Sequence, residues 1–552
     1  MAVGDVATAT TRRADRWAMG VIVLVALAVR VIGLRAGLSG AAVGDEPSVV
    51  QHAMAFGSGD FNPHYFVYPG FYMYVLFAAF VGYYLVGWLA GVFASPEMFA
   101  TAFVMDASSF YLLARAVSAL AGVVTVWVLA RFAGQVFGRP VGLVAALLLA
   151  VSPFHVWDSH FAIADAPMVL VLVLGAWAID RVVRTGSPSD YVMAGAFIGL
   201  GTATKYIPVL LAAALILAHF AGPARGSWRA ALADSRLWLG LIATVIVFFL
   251  ASPFTVLDAS TALAHIRERI VESTSGPSQN RIVWTKFVRE HGVAFLIAVI
   301  GGAWIVAGRG GLSARLLFVF PALFLGLAAV RGYWATRYFS PVLPFACVLA
   351  ALAIVRVVGR LPGRTQALGL LAGVAVVLVV PVATVARDLQ VLREPTTRER
   401  ATAWIEAKIP AGATLVTDPY FRLAPTEDTI RAKLQMLEGR STAKGRLVAA
   451  ALRRQLGAGY ARPRYRLLFS TRYPDSSSYG IADRKDYYSV SEYLVRGAEY
   501  FVVGMPRYGE VEAETYRAFF GDLAKCCRVL HDVPAGPDPR LWPAVRVYQV
   551  AR

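Results

Sequence analysis

The sequence predicts a polytopic α-helical membrane protein that carries a C-terminal extracytoplasmic α/β domain. The chain has 552 residues, of which 57% are hydrophobic and only 16% charged, and its mean hydropathy is +0.58. A soluble globular protein has about a quarter of its residues charged. Apolar stretches fill the chain up to residue 388, and charged residues become dense beyond it. We therefore predict a multi-span domain at 1–388 and a second domain at 389–552.

The apolar stretches mark the predicted membrane spans. The first, 17–38, follows Arg12, Arg13 and Arg16 and is about 20 residues long, which suits a retained helix better than a signal peptide. Further stretches lie at 108–130, 141–157, 166–183, 191–204, 206–221, 237–253, 292–307, 314–330, 338–356 and 366–386. One more stretch, 70–93, is also long enough to cross.

Arginine clusters give the orientation and the number of crossings. They lie at 11–16, 131–139, 180–184, 223–229, 308–315 and 356–364, which the positive-inside rule makes cytoplasmic. Residues 36–114 contain no Lys or Arg, so this stretch is predicted outside. An even number of crossings between Arg16 and Arg131 then leaves 70–93 along the outer surface. We predict about 11 spans, with 12 as the alternative, in the inner (plasma) membrane with a cytoplasmic N-terminus.

The C-terminal part alternates strand-like and helical segments. Strands are predicted at 413–417, 465–470, 499–504, 527–533 and 545–550, and helices at 397–409 and 510–526. The net charge of +18 is typical of cytoplasmic loops and lipid contacts, and no nucleic-acid-binding motif accompanies it. Nucleic acid is therefore not predicted as a partner. Cys347, Cys526 and Cys527 form no disulfide framework and are interpreted as buried thiols.

Ionisable residues gather where the predicted spans meet the outer surface. Such groups are costly at membrane depth, so they usually pair or line a cavity. Lys205 and Arg337 could hold a lipid-linked phosphate, and Asp45, in the first outer loop (39–107), could act as general base on an acceptor hydroxyl. Arg30, inside the first span, is expected to snorkel or to form an internal ion pair.

Each of these residues also has a purely structural interpretation. Asp45 and Glu46 could be solvated loop acids or a helix N-cap, and Asp165 could cap a helix that starts at Ala166. Lys205 and Arg337 could each snorkel to the interface. The histidines have no spacing that demands a metal ion, although a divalent metal remains an alternative.

A series of short motifs runs in order along nearly the whole chain. They are "GDE" (44–46), "YPGFYMYVL" (68–76), "SPFHVWDSHFAIADAPM" (152–168), "GTATKY" (201–206), "SPFTVLD" (252–258), "RYFSPVLP" (337–344) and "ATAWIEAKIPAGATLV" (401–416). In order and placement this series resembles the GT-C superfamily of polyprenyl-phosphate-sugar-dependent glycosyltransferases. The branch most similar is related to protein O-mannosyltransferases and lipid A aminoarabinose transferases, that is, glycosyltransferase family 39.

The resemblance implies a GT-C fold and a role for each matching residue. Asp45 matches the catalytic acid, Glu46 supports it, and Asp165 matches a second acidic position near the active cavity. Positions suited to the donor phosphate are Lys205, Arg337 and Tyr338, and the candidates for the cavity lining are His64, Tyr68 and His160. One departure is the segment "HFAIAD" (160–165), where many relatives carry an Arg shortly before the Asp.

The implied reaction transfers a single sugar, with inversion, from a polyprenyl-phosphate donor to a hydroxyl on the outer face of the membrane. The acceptor could be a lipid, a glycan or a protein, and no cofactor is certain. Two alternatives remain: a transporter or flippase of a lipid or small solute, and an oligosaccharide transferase that uses lipid-diphosphate donors. Transporters often show inverted repeats and charges at mid-membrane, whereas the acids here cluster at the outer ends of spans.

Overall fold

The computed structural model describes two compact units. The residues described are 2–38, 45–222, 227–275, 280–330, 336–417, 421, 423–438, 443–457, 462–469, 489–504, 514–536 and 544–551. Unit 1 comprises Met1–Leu34, Asn62–Val75 and Arg115–Gln390, and unit 2 comprises Arg35–Phe61, Leu76–Ala114 and Val391–Arg552. The predicted boundary at 388 lies close to the change from unit 1 to unit 2 at Gln390–Val391. The sequence did not predict that Arg35–Phe61 and Leu76–Ala114 group with the C-terminal part.

The helices follow the predicted spans closely. Along the first half they are α1 Ala2–Val31, α2 Glu46–Ala55, α3 Phe71–Leu89, α4 Pro96–Met105, α5 Ser108–Phe137, α6 Arg139–Ala150, α7 Pro153–Ser159, α8 Asp165–Thr185, α9 Pro188–Thr204, α10 Leu211–Ala221, α11 Trp228–Ala233, α12 Ser235–Ala251 and α13 Phe254–Leu257. They continue with α14 Ala259–Ser275, α15 Asn280–His291, α16 Val293–Arg309, α17 Leu312–Leu316, α18 Val319–Val330, α19 Leu343–Val358, α20 Gly363–Val391, α21 Thr397–Lys408, α22 Glu427–Glu438, α23 Ala443–Gly457, α24 Val490–Val495 and α25 Glu514–Cys526.

Several helices are long and apolar enough to cross a membrane. In the described part of the chain five qualify: α3, α5, α8, Leu312–Ala329 and α20. Two bent pairs, α6 with α7 and α15 with α16, raise the number to seven, and Ile207–Ala221, α12 and α19 are shorter apolar helices. The polytopic helical architecture is thus confirmed. The count of 11 spans and the surface course of 70–93 stay predictions, and α3 is a continuous helix of crossing length.

Glycines bring α9 and α12 into backbone contact within unit 1. A Cβ on Gly195 would lie 1.9 Å from the carbonyl oxygen of Gly240, and one on Gly199 would lie 2.4 Å from that of Thr244. Small residues four positions apart let membrane helices pack this closely. The packing fixes the end of α9, which is where Lys205 follows.

The predicted span 141–157 is broken into α6 and α7, which meet at 60°. The break frees the last carbonyls of α6, and Arg30 satisfies them from the end of α1. Its N–H groups face the carbonyls of Ala26, Leu149 and Ala150, Nδ1 of His155 and Oγ of Ser159 at 2.8–3.4 Å. Arg30 is fully buried. The expectation of snorkelling or an ion pair is therefore wrong, because the guanidinium caps a helix end instead.

The chain just after the C-terminal end of α1 is held in the same way. Arg115, also fully buried, donates from Nη1 to the carbonyl of Leu34 at 2.9 Å and lies 5.3 Å from the Phe161 ring centroid. His160 lies between two carbonyls, that of Val156 at 2.8 Å and that of Ile32 at 2.9 Å. These contacts satisfy backbone groups that a buried helix end would leave without partners.

Arg30→Met should destabilise the chain by about 1–3 kcal/mol, because it leaves the buried carbonyl of Ala150 without its hydrogen bond from the guanidinium. The measurement is the unfolding midpoint of the purified protein in a fixed detergent. Arg35→Met, five residues along the chain at an exposed position, is the matched control and should shift the midpoint little. Equal midpoints for the two variants would contradict the capping role.

Unit 2 contains a six-stranded sheet of order β2-β3-β1-β4-β6-β5. The strands are β1 Thr414–Thr417, β2 Ala424–Pro425, β3 Arg464–Phe469, β4 Tyr500–Gly504, β5 Cys527–Val533 and β6 Val545–Val550. β2, β3, β1 and β4 pair in parallel, whereas β6 pairs antiparallel with both β4 and β5. Five of these strands were predicted, and the α/β character of the domain is confirmed.

The helix α21 leads into this sheet with a capping box. The Thr396 hydroxyl accepts from the Glu399 N–H at 3.2 Å, and the Glu399 carboxylate accepts from the Thr396 N–H at 2.6 Å. Cys526 and Cys527 lie at the junction of α25 and β5 with their sulfurs 2.8 Å apart. Burial and the neighbouring Cys526 raise the pKa of the Cys527 thiol to about 12, which keeps it protonated. Of the three cysteines interpreted as buried thiols, Cys347 is buried, whereas Cys526 and Cys527 are only partly buried.

Candidate functional site

A buried ion pair joins two of the predicted site residues in unit 1. Asp165 is the first residue of α8, and Lys205 directly follows α9. The two helices are neighbours joined by a short turn at Gly186–Ser187, so the start of one meets the end of the other. The Lys205 ammonium lies 2.6 Å from Oδ1 of Asp165, and the side chains are 8% and 3% exposed. Asp165 therefore lies in the first turn of α8, one residue after the N-cap Ala164, and the Lys205 ammonium is paired within the protein.

Two tyrosine rings flank the ammonium of Lys205. Its nitrogen lies 5.5 Å from the ring centroid of Tyr68 and 5.8 Å from that of Tyr338. Both distances are within the range of cation–π attraction. The structure therefore brings together four of the predicted residues, namely Asp165, Lys205, Tyr68 and Tyr338.

The segment 62–75 carries Tyr68 and is held by hydrogen bonds to other segments of unit 1. Its hydrogen bonds include those from Asn62 Nδ2 to Asp258, from the Phe66 N–H to His265, from the Tyr206 hydroxyl to the Phe66 carbonyl, and from the Gly70 N–H to Ser252, at 2.8–3.2 Å. Tyr206 follows Lys205 directly, so one of these bonds couples the segment to the ion pair. The Tyr68 ring is thus positioned by backbone contacts on both sides.

A third carboxylate, Asp158 of α7, belongs to the same group. It is 4% exposed and accepts a hydrogen bond from the Ser340 hydroxyl. Its charge interacts with those of Asp165, Lys205 and Arg337. Arg337 lies in the 3-10 turn Thr336–Phe339, and its guanidinium carbon is 6.0 Å from the Tyr338 ring centroid. Two acidic and two basic side chains therefore lie in one region of unit 1.

Asp158 lies within the motif at 152–168, but no role for it was predicted from the sequence. A signal that could have found it is the recurrence of Ser-Pro-Phe-x-Val-x-Asp at 152–158 and 252–258. Both copies end in an aspartate that accepts a hydrogen bond from a distant segment, Ser340 for Asp158 and Asn62 for Asp258. Hydrogen bonds from Asn62 and Thr261 hold the pKa of Asp258 below its usual value.

Asp45 and Glu46 belong to unit 2, at the start of α2. Asp45 occupies the N-cap position, but its side chain makes no capping hydrogen bond, and Glu46 opens the helix with a fully buried side chain. The interpretation of Asp45 as an ordinary capping residue is therefore weakened. A carboxylate at a helix N-terminus is stabilised by the partial positive charge of the backbone there.

The two histidines proposed to line the cavity, His64 and His160, differ in their burial and in their contacts. His160 is buried with its ring nitrogens against the carbonyls of Val156 and Ile32, and its assignment to the cavity stays a prediction. His64 has a left-handed φ of 49°, and its side chain is 55% exposed with Nδ1 3.9 Å from Asp258. Among the described residues, no group of three or more His, Cys, Asp or Glu side chains is placed to hold a metal ion.

Comparisons with known proteins point to one fold. Residues 111–256 match the family model described as dolichyl-phosphate-mannose-protein mannosyltransferase. No curated protein matches the chain in sequence. The structure is similar to that of ArnT from Cupriavidus metallidurans bound to undecaprenyl phosphate, with a TM-score of 0.54 and 16% identity over 96% of this chain and 98% of that chain.

A second neighbour is an archaeal enzyme. AglB, the oligosaccharyltransferase from Archaeoglobus fulgidus, was solved in complex with an inhibitory peptide and a dolichol-phosphate. It matches with a TM-score of 0.51 and 12% identity over 94% of this chain and 73% of that chain. At these identities the likeness is one of fold.

Proposed function

We propose that this chain, a membrane glycosyltransferase with the GT-C fold, moves one sugar from a polyprenyl-phosphate donor to an acceptor hydroxyl on the outer face of the membrane. The observation that carries the proposal is the buried Lys205–Asp165 pair between two tyrosine rings, with Arg337 beside it. Cations at such a position suit a phosphate with a lipid tail. The neighbours ArnT and AglB were solved with undecaprenyl phosphate and with a dolichol-phosphate, respectively, which favours the same class of carrier here.

In this proposal the Lys205 ammonium is already held in a fixed position before an anion binds. Its ammonium has three N–H donors, and Asp165 fixes its direction by accepting one of them. Arg337 adds a second cation whose planar guanidinium matches phosphate geometry. As the bond between the anomeric carbon and the phosphate breaks, negative charge grows on the polyprenyl phosphate, and these two cations stabilise it.

In this proposal Asp45 activates the acceptor and Glu46 supports it. Asp45 takes the proton of the acceptor hydroxyl. The oxygen of that hydroxyl attacks the anomeric carbon from the face opposite the phosphate. The products are the glycosylated acceptor, with inverted configuration, and the free polyprenyl phosphate. The acceptor is a lipid, a glycan or a protein, and the C-terminal domain is the part of the chain available to select it.

The test is sugar transfer by the purified full chain in lipid nanodiscs. A panel of polyprenyl-phosphate sugars and polyprenyl-diphosphate sugars, each radiolabelled in the sugar, is offered together with membrane lipids, cell-wall glycan and protein acceptors. We expect one donor to transfer its label and to leave unlabelled polyprenyl phosphate. If no donor transfers while a labelled lipid crosses the bilayer of proteoliposomes, the chain is a transporter. Transfer from lipid-diphosphate donors alone would identify an oligosaccharide transferase.

Arg337→Gln should raise the KM for the donor by about tenfold to a hundredfold, because a hydrogen bond to a charged group contributes about 1.5–3 kcal/mol. The kcat should fall as well, because Arg337 also stabilises the negative charge that grows on the phosphate as the bond breaks. Arg360→Gln, which removes an exposed charge elsewhere in unit 1, should leave the KM unchanged. An unchanged KM in Arg337→Gln would remove Arg337 from the phosphate site.

A further inference from the structure

We propose that α15 lies along the membrane surface and binds anionic lipid headgroups through Arg281, Lys286 and Arg289. This inference concerns a surface separate from the Lys205–Asp165 pair and does not depend on the proposed reaction. The occupant is the headgroup layer of a membrane that contains an anionic phospholipid such as phosphatidylglycerol.

The direction of α15 follows from its junction with α16. The two helices meet at 97°, and Gly292, with a φ of 84°, forms the corner. α16 is an apolar helix that exposes Ile297, Ile300 and Trp304 by 65%, 61% and 81%, as expected of a surface covered by lipid tails. A helix perpendicular to such a segment runs in the plane of the membrane.

The two faces of α15 differ in composition. One face carries Val283, Phe287 and His291, which are buried against the rest of unit 1. The ring centroids of Phe287 and His291 are stacked 4.5 Å apart. On the other side, Ile282 and Trp284 are exposed by 71% and 41%. Large exposed apolar residues, with a Trp among them, are typical of helices that insert one side into the boundary between headgroups and acyl chains.

The exposed side of α15 also carries an excess of positive charge. Arg281 is exposed, and the side chains of Lys286 and Arg289 are 33% and 68% exposed. Both of the latter lie near the same carboxylate, that of Glu290, at 3.7 and 3.8 Å. Three cations against one carboxylate leave a net positive helix, and basic residues beside an anionic membrane surface contribute about 1 kcal/mol each.

The same helix contacts the turn that carries Arg337. The rings of Trp284 and Phe287 lie 4.8 and 4.5 Å from that of Phe339, which is the residue after Tyr338. Lipid bound at α15 therefore lies one layer of side chains away from the candidate phosphate site. This contact gives the headgroup layer a direct structural connection to the site.

The test measures quenching of Trp284 by brominated lipids in nanodiscs that hold the full chain. The Trp284 signal is the difference between wild type and Trp284→Phe. We expect brominated phosphatidylglycerol to quench it about twofold more than brominated phosphatidylcholine at the same mole fraction. The triple variant R281Q/K286Q/R289Q should lose this excess, whereas the control R356Q/R360Q/R364Q, with the same loss of charge elsewhere, should keep it.

High salt provides a check that needs no variant, because screening should remove the excess quenching in the wild type. Absence of quenching by either lipid would overturn the placement of α15 at the membrane surface. Equal quenching by the two lipids in the wild type, or an excess that survives the triple variant, would overturn the binding of anionic headgroups.

Discussion

The double variant Lys205→Met/Asp165→Asn should fold nearly as well as the wild type and yet lose donor binding, whereas each single variant should be destabilised by about 3–5 kcal/mol. The physical reason is that either single change leaves one buried charge without its partner. Both side chains are less than a tenth exposed, so water cannot compensate. Removing both charges together relieves that cost but also removes the cation that the phosphate requires.

The measurements are the unfolding midpoint in detergent and the donor Kd in nanodiscs. The matched control makes the same two substitutions at an exposed pair, Lys525 and Asp522, whose charged atoms lie 3.1 Å apart on side chains that are 78% and 50% exposed. A surface pair contributes little, about 0–1 kcal/mol, so all three control variants should resemble the wild type.

The outcomes separate a structural from a functional role. If the double variant binds the donor with wild-type affinity, Lys205 is not a phosphate ligand and the pair is purely structural. If Lys205→Met unfolds no more easily than the control Lys525→Met, the ammonium is not buried with Asp165 in solution.

Asp45→Asn should lower the rate of sugar transfer by about 10²–10⁴-fold and leave the donor Kd unchanged, because general base catalysis contributes that much and binding of the donor uses other residues. Asparagine has nearly the same shape as aspartate but cannot take the proton of the acceptor hydroxyl. The measurement is single-turnover transfer from the donor that the panel identifies, with donor binding determined separately.

Asp60→Asn is the control for this experiment, since it makes the same chemical change at an exposed position of the segment that follows α2. Its rate should match that of the wild type. Wild-type activity in Asp45→Asn would overturn the assignment of the base and move it to Asp165, the second acidic position. Loss of activity together with loss of donor binding would instead place Asp45 in the donor site.

The sequence by itself determined the class of the protein and the identity of most candidate residues. Periods of apolar residues and the distribution of arginine predicted a polytopic helical protein, because burial in lipid requires long apolar helices. The strand and helix signals after residue 388 predicted the α/β domain. The acids and cations at the predicted outer ends of spans were recognisable as candidates because charges are rare at that depth.

The tertiary structure alone decided which of those charges meet. Asp165 and Lys205 are 40 residues apart, and only the packing of α8 on α9 shows that they pair. Asp158 is recognised as part of the site only through its hydrogen bond with Ser340, which is 182 residues away in the sequence. Arg30 caps the end of α6, because the bend between α6 and α7 leaves carbonyls there without helical partners. No pattern in the sequence predicts this bend. Local patterns report which side chains are present, whereas pairing of buried polar groups depends on long-range contacts, and these exist only once the helices have packed.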